Sequence, residues 1–184
     1  MNIEAARIIS TERAWDGAYI TWFHAPAMTR GVEAGQFVMV HCSADGSDPM
    51  FARAFSYYRI DGDRFALLYA RVGRGSGWLS EQPPGAPVRM YGPLGNGFTF
   101  PESPANLLLI GGGVGIAPLV DTAERAINAG HHVVAMMGGR TSSHLLAASA
   151  WPKEVEYIVV TEDGSTGARG FVTQHLGKYQ EWAN

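Results

Sequence analysis

Five short segments carry residue types that suit chemistry on a phosphate-bearing cofactor. Gly111-Gly112-Gly113-Val114-Gly115-Ile116-Ala117-Pro118 lies between an apolar run and a helical pattern. Small residues let backbone approach a pyrophosphate closely, and a helix N-terminus offers unpaired N–H groups and the positive end of a dipole. Pro118 suits an early helical position, where its missing N–H costs little. The spacing departs from the G-x-G-x-x-G of many dinucleotide sites, so a tight strand-to-helix turn that binds nothing stands beside the anion-binding reading. Arg53-Ala54-Phe55-Ser56 opens a predicted strand: a planar guanidinium fork for phosphate, an aromatic face and a small hydroxyl, or alternatively a solvated strand edge. Gly73-Arg74-Gly75-Ser76-Gly77-Trp78-Leu79 follows a strand and reads either as a phosphate cradle or as a flexible loop. Gly92-Pro93-Leu94-Gly95-Asn96-Gly97-Phe98 is a linker turn or a backbone shaped against a ligand. Glu162-Asp163-Gly164-Ser165 ends a predicted parallel strand, the side of such sheets where ligands bind, or is an ordinary turn.

Other chemistry is excluded or unsupported. The six histidines (His24, His41, His131, His132, His144 and His175) have no metal-ligand spacing with cysteines or carboxylates, so no metal site is expected; the adjacent His131-His132 read as a helix-to-strand cap. No G-x-S-x-G elbow is present. The single cysteine, Cys42, reads as a buried apolar residue and cannot by itself supply the thiolates of an iron–sulfur cluster. Fourteen basic against 17 acidic residues, with no basic block, give nucleic acid no electrostatic foothold. No run of 18 apolar residues exists and the N-terminus lacks a signal-peptide layout, so a cytoplasmic protein without a membrane span is expected.

The elements that must position these segments fall into two kinds. Ala18–His24, Gln36–Cys42, Ala54–Ile60, Arg64–Val72 and Pro87–Tyr91 read as short strands, with Asp61-Gly62-Asp63 as a hairpin turn, which suggests a small β-barrel or sandwich. From Asn106 the pattern alternates: strands at Asn106–Ile110, His132–Met137 and Val155–Thr161, with helices at Ala117–Ala129, Ser143–Ala150 and Gly170–Tyr179. That is a parallel sheet with crossover helices. The change of character near Phe98–Ala105 places a β domain at 1–100 and an α/β domain at 104–184, the latter short of the five or six strands of a doubly wound domain.

The order of R-A-F-S, G-R-G-S, G-P-L-G-N-G-F, G-G-G-V-G-I-A-P-L and E-D-G-S-T-G-A-R-G-F-V-T resembles the ferredoxin–NADP reductase superfamily, and within it the electron-transfer subunits of class 1B dihydroorotate dehydrogenases. The resemblance implies an N-terminal six-stranded antiparallel β-barrel that binds FAD and a C-terminally incomplete Rossmann-like domain that binds NAD(P)H. It implies that Arg53, Ala54, Phe55 and Ser56 hold the flavin, Arg53 on a phosphate and Ser56 near flavin N5 as the residue next to the reaction. Leu68, Tyr69 and Ala70 match a second flavin segment, where the family's usual arginine is displaced here to Arg71. Gly75 and Ser76 match a phosphate contact; Gly112, Gly113, Val114, Gly115 and Pro118 match the pyrophosphate loop; Glu162 and Asp163 match an acidic segment of the nucleotide half. The implied activity moves reducing equivalents between NAD(H) and FAD and on to a partner redox or catalytic subunit of the dihydroorotate dehydrogenase kind, with an oligomer compatible. A non-catalytic FAD-binding or assembly module, or the flavin subunit of a sulfide dehydrogenase or ferredoxin–NADP reductase type complex, are the alternatives. The family's cysteine-rich tail has no counterpart in this sequence, so no [2Fe–2S] cluster is expected on this chain.

Overall fold

A computed structural model describes residues 2–43 and 48–184. The chain divides into two compact units, Met1–Phe98 and Thr99–Asn184.

In the first unit, strands β1 (Asn2–Trp15), β2 (Ala18–His24), β3 (Phe37–Val40), β4 (Arg53–Asp61), β5 (Arg64–Ala70) and β6 (Pro87–Leu94) close into a barrel in the order β1-β2-β5-β4-β3-β6. Every pairing is antiparallel. Strand alternation sends Phe23, Tyr57, Phe65, Leu67 and Tyr69 into one core. There Phe65 stacks on Phe23 (5.3 Å between ring centroids) and meets Tyr57 edge-on (5.1 Å). The β4–β5 hairpin turns at Gly62, whose φ of +57° suits glycine. Two short helices, α1 (Pro26–Thr29) and α2 (Arg74–Ser80), interrupt the strands.

Strand β1 is an addition to the sequence reading, which starts its strands at Ala18. Its apolar alternation is weak because most of its side chains face solvent and Ala6 and Ile8 are its buried residues. It runs on past its neighbours, pairing residues 2–7 with β6 and 7–15 with β2, and bulges in its second half let one strand serve both.

The second unit is a four-stranded parallel sheet in the order β10-β9-β8-β7, formed by β7 (Asn106–Gly112), β8 (His132–Gly139), β9 (Glu156–Thr161) and β10 (Ala168–Arg169). Two α-helices, α3 (Ala117–Asn128) and α4 (Gly177–Trp182), belong to it. Helix α3 buries Val120, Ala123 and Ala126, spaced by three, and stops before Gly130 at φ +88°. The helix expected at Ser143–Ala150 is replaced by two 3-10 turns, Ser142–His144 and Ala148–Ala150, with Leu145 extended between them. Thr141 Oγ1 bonds both Ser143 Oγ (2.8 Å) and His144 Nδ1 (2.8 Å), the local competition that keeps hydroxyl-rich segments from coiling. The helix expected at Gly170–Tyr179 is likewise a 3-10 turn, Val172–His175, followed by α4; Gly170 at φ +123° and an extended Phe171 delay its start. His131 is buried and its Nδ1 accepts the Ala105 N–H at 3.1 Å, tying the helix end to the chain entering β7.

Candidate functional site

In the barrel unit, Arg53 is the first residue of β4, with an exposed side chain whose guanidinium donates to the Phe51 carbonyl at 2.7 Å. Gly75, in the first turn of α2, lies directly against it. A Cβ at Gly75 would stand 3.2 Å from Cys42 Cβ and 3.6 Å from both Arg53 Cγ and Pro49 Cγ. Two motifs far apart in sequence thus meet at one place. Ser76 is spent differently from the expectation: its Oγ accepts the N–H groups of Val72 (3.0 Å) and Gly73 (3.2 Å) and lies 3.3 Å from the Gly73 carbonyl as a donor. The hydroxyl therefore shapes the loop. Arg71 turns to Glu81 at the end of α2 (2.5 Å), beside Gly77, and Arg74 pairs with Asp48 (2.5 Å).

Along β4, Ala54 is exposed, Phe55 and Ser56 are half-buried, and Phe55 meets Tyr69 edge-on at 5.4 Å. On β5, Leu68 and Tyr69 are almost fully buried, and only Ala70 of that segment keeps appreciable exposure. Tyr69 belongs to the core: its hydroxyl bonds Thr21 Oγ1 (2.8 Å), which bonds Thr11 Oγ1 (3.0 Å). Burial pushes its pKa up to about 12. Burial likewise raises the Cys42 thiol to about 11, partly offset by Arg53. The Gly92–Phe98 turn is explained by packing inside this unit. Cβ atoms at Gly92, Gly95 and Gly97 would come within 2.8 Å of Val38, 2.9 Å of Phe37 and 2.5 Å of Glu33.

In the α/β unit the glycines that end β7 and those of the 3-10 turn after it, Gly113–Ile116, have different reasons to be there. At Gly111 a Cβ would come within 2.9–3.1 Å of Ile116 Cδ1, Cα and N, so the fold itself demands glycine. Gly113 adopts φ +51°. Gly112 and Gly115 have neither reason: the nearest atom to a Cβ at Gly112 is 4.0 Å away, and none lies within 4 Å at Gly115. Val114 is half-buried, and Pro118 sits in the opening turn of α3. Bare backbone is therefore presented at the end of β7 and in the 3-10 turn Gly113–Ile116 that leads into the 12-residue α3, an arrangement suited to an anion.

Register sets what stands beside it. Gly112 pairs with Gly138 and Gly139 with Thr161, so the carboxyl ends of three parallel strands form one row. Glu162 follows, exposed, its N–H donated to the Gly139 carbonyl at 3.0 Å. Asp163 accepts both the N–H (3.0 Å) and the hydroxyl (2.7 Å) of Ser165 on Oδ1, and these bonds hold its carboxyl below the usual aspartate range. Among the described residues no group of three or more His, Cys, Asp or Glu side chains gathers as a metal site, and no helix is long and apolar enough to cross a membrane.

No family model matches the chain. It is 33% identical over 180 residues to the dihydroorotate dehydrogenase B (NAD(+)) electron transfer subunit of Desulforamulus reducens, covering 96% of this chain and 68% of the relative. The chain belongs to this family of electron transfer subunits. The Geobacillus thermodenitrificans member is 35% identical over 145 residues, 77% of this chain and 56% of its own length. Among solved structures, the NADH-dependent reduced ferredoxin-NADP oxidoreductase superposes with a TM-score of 0.83 at 25% identity, covering 96% of this chain and 63% of that one. The chain thus spans between about half and two thirds of the length of these proteins.

Sequence reasoning left Arg140 and Ser165 unassigned. Arg140, exposed and one residue past β8, stands on the same carboxyl row as the glycine loop. Its signal was available: it directly follows a predicted parallel strand. The bond that Ser165 accepts from the Ser142 N–H had no such signal, because its partner lies in another segment.

Proposed function

We propose that the chain is the flavin- and nicotinamide-binding part of an electron transfer subunit, exchanging reducing equivalents between NAD(H) and FAD and passing them to a partner redox subunit of the dihydroorotate dehydrogenase kind. The observation that carries the reading is the meeting of Arg53 with Gly75. The stem of the exposed Arg53 packs against Gly75, its Cγ 3.6 Å from where a Cβ would stand, so a guanidinium suited to a dinucleotide phosphate lies on the side chain that meets the opening turn of α2. The relatives' names and the open glycines at 112 and 115 support the nicotinamide half.

FAD, when bound, supplies the conversion between hydride and single-electron chemistry, so the protein need contribute no general acid or base. What this chain's residues do is hold and orient. Arg53 binds phosphate and the first turn of α2 adds backbone N–H groups. Ala54 and Ser56 present small side chains on β4 against which a flat ring can lie. Leu68 and Tyr69, being buried, act through backbone and packing, with Thr21 fixing Tyr69. Gly112–Gly115 and the N-terminus of α3 receive the second pyrophosphate.

The test is spectroscopic. The purified chain, reconstituted with FAD if necessary, shows flavin absorbance that NADH bleaches without oxygen. No flavin absorbance after reconstitution overturns the reading; flavin that NADH leaves unbleached reduces the chain to a flavin-binding module.

A further inference from the structure

Large apolar side chains left in water are informative when they gather at one place. Among the described residues, three of the four most exposed flank the point where Arg53 meets Gly75: Val72 is 87% exposed, Phe51 70% and Met50 60%. The two segments that carry them are fastened to each other. Pro49 Cγ and Arg53 Cγ each lie 3.6 Å from the place of a Cβ at Gly75, and Arg74 pairs with Asp48 at 2.5 Å. Met50 and Phe51 thus sit on a stretch pinned at both ends. The Phe51 carbonyl accepts the Arg53 guanidinium at 2.7 Å, and the N–H of Val72 donates to Ser76 Oγ at 3.0 Å.

Phe51 differs from the other phenylalanines of the barrel unit. Phe23 and Phe65 stack on each other in the core, Phe55 meets Tyr69, and Phe37 lies against Gly95. Phe98 is partly exposed, but its ring comes within 2.7 Å of the Cβ position of Gly35. No ring stacks on Phe51 among the described residues. Its main chain is held in place while its ring stands in water, two residues ahead of the arginine that the flavin reading puts on phosphate.

We propose that Phe51 is the stacking platform for the adenine base of FAD, and so the residue that selects the dinucleotide over FMN. This rests on the reading of Arg53 as the phosphate contact and of Ala54 and Ser56 as the support of the flavin ring. FAD carries its anionic pyrophosphate between two flat ring systems. With the flavin on the Ser56 side of Arg53, the second ring lies on the other side, where the chain presents Phe51. A base stacked on an aromatic ring needs only two π-faces, which suits a place that offers apolar side chains. Met50 and Val72 add apolar surface from the same two segments.

The test titrates the purified chain, stripped of flavin, with FAD and with FMN by flavin fluorescence, and reads the urea midpoint of each variant alongside. Wild type is expected to prefer FAD to FMN by about tenfold or more. Phe51→Ala weakens FAD about tenfold and leaves both FMN affinity and the urea midpoint unchanged. Phe51→Trp keeps the preference for FAD, whereas Phe51→Leu, apolar but not flat, loses most of it. Should Phe51→Ala lower the urea midpoint, Phe51→Leu carries the same comparison. The inference is overturned if wild type binds the two flavins equally, if Phe51→Ala weakens FAD and FMN alike, or if Phe51→Leu binds FAD as tightly as wild type. In each of those cases the flavin reading stands. A wild-type chain that binds neither flavin overturns that reading and this inference with it.

Discussion

The two glycine-rich turns, Gly73–Gly77 in the barrel unit and Gly111–Gly115 in the α/β unit, look alike in sequence and work differently. In the first, the space that Gly75 vacates is occupied by the protein's own Cys42, Arg53 and Pro49, and besides its own Arg74, paired with Asp48, the turn has the Arg53 side chain against it. In the second, no charged side chain belongs to the turn; one glycine is required by Ile116, one by its φ, and two face open space. A glycine count therefore says little about binding. What points to a ligand is the glycine left over once packing and backbone conformation have been accounted for.

The largest expected effect breaks the comparison on the barrel side. Arg53→Ala removes the charge-assisted contact, costing about 1.5–3 kcal/mol of FAD affinity, or roughly 10- to 100-fold. A fluorescence titration of FAD checks it, and unchanged affinity removes Arg53 from the site. On the α/β side, Gly111→Ala drives a methyl into Ile116 and destabilises the chain by about 1–3 kcal/mol, read from urea unfolding. Gly115→Ala is the sharpening partner. Its stability stays within about 0.5 kcal/mol while NADH affinity falls several-fold; equal loss of stability in both would erase the distinction between the two glycines.

A smaller effect has the opposite sign. Gly77 lies inside α2, and the nearest atom to an added Cβ is Arg71 Nε at an ordinary 3.6 Å. Gly77→Ala should therefore stabilise the chain by about 0.5–1 kcal/mol through helix propensity. The smallest concerns Cys42, with a thiol raised by burial to about 11 from 9.0. The folded state keeps its proton where the unfolded state loses it. Its contribution to stability is thus full below pH 9 and declines as pH rises from 9 toward 11. Alkylation at pH 8 should be slow in the native chain and fast in urea.

Much of this architecture is legible before any coordinates. The hairpin around Gly62, the apolar run at Asn106 and the periodic helix ending before Gly130 each have a local signal, and the fold obeys it. Strand β1 lacks one, since a strand whose side chains mostly face solvent has no alternation to read. Ser143–Ala150 misleads because hydroxyl competition, invisible to a hydrophobic pattern, breaks the coil. At the site, residue types were readable but their tasks were not. The Ser76 hydroxyl closing its own loop and Asp163 serving Ser165 are short-range bonds that a hydrophobic pattern does not register, and that Tyr69 faces Thr21 has no local signal at all.

The closing seam of the barrel has a consequence for the order in which the molecule is made. Asn2 pairs with Gly92 and Arg7 with Pro87, so the first strand of the barrel unit completes its ladder with the last strand of that unit. At about 5–20 residues per second of synthesis, several seconds separate the two. Through that interval β1 holds only its hairpin with β2, and the leading half of the strand has its main-chain groups unpaired. The barrel is thus a structure of high sequence separation that forms late, after nearly all of its unit has been synthesised.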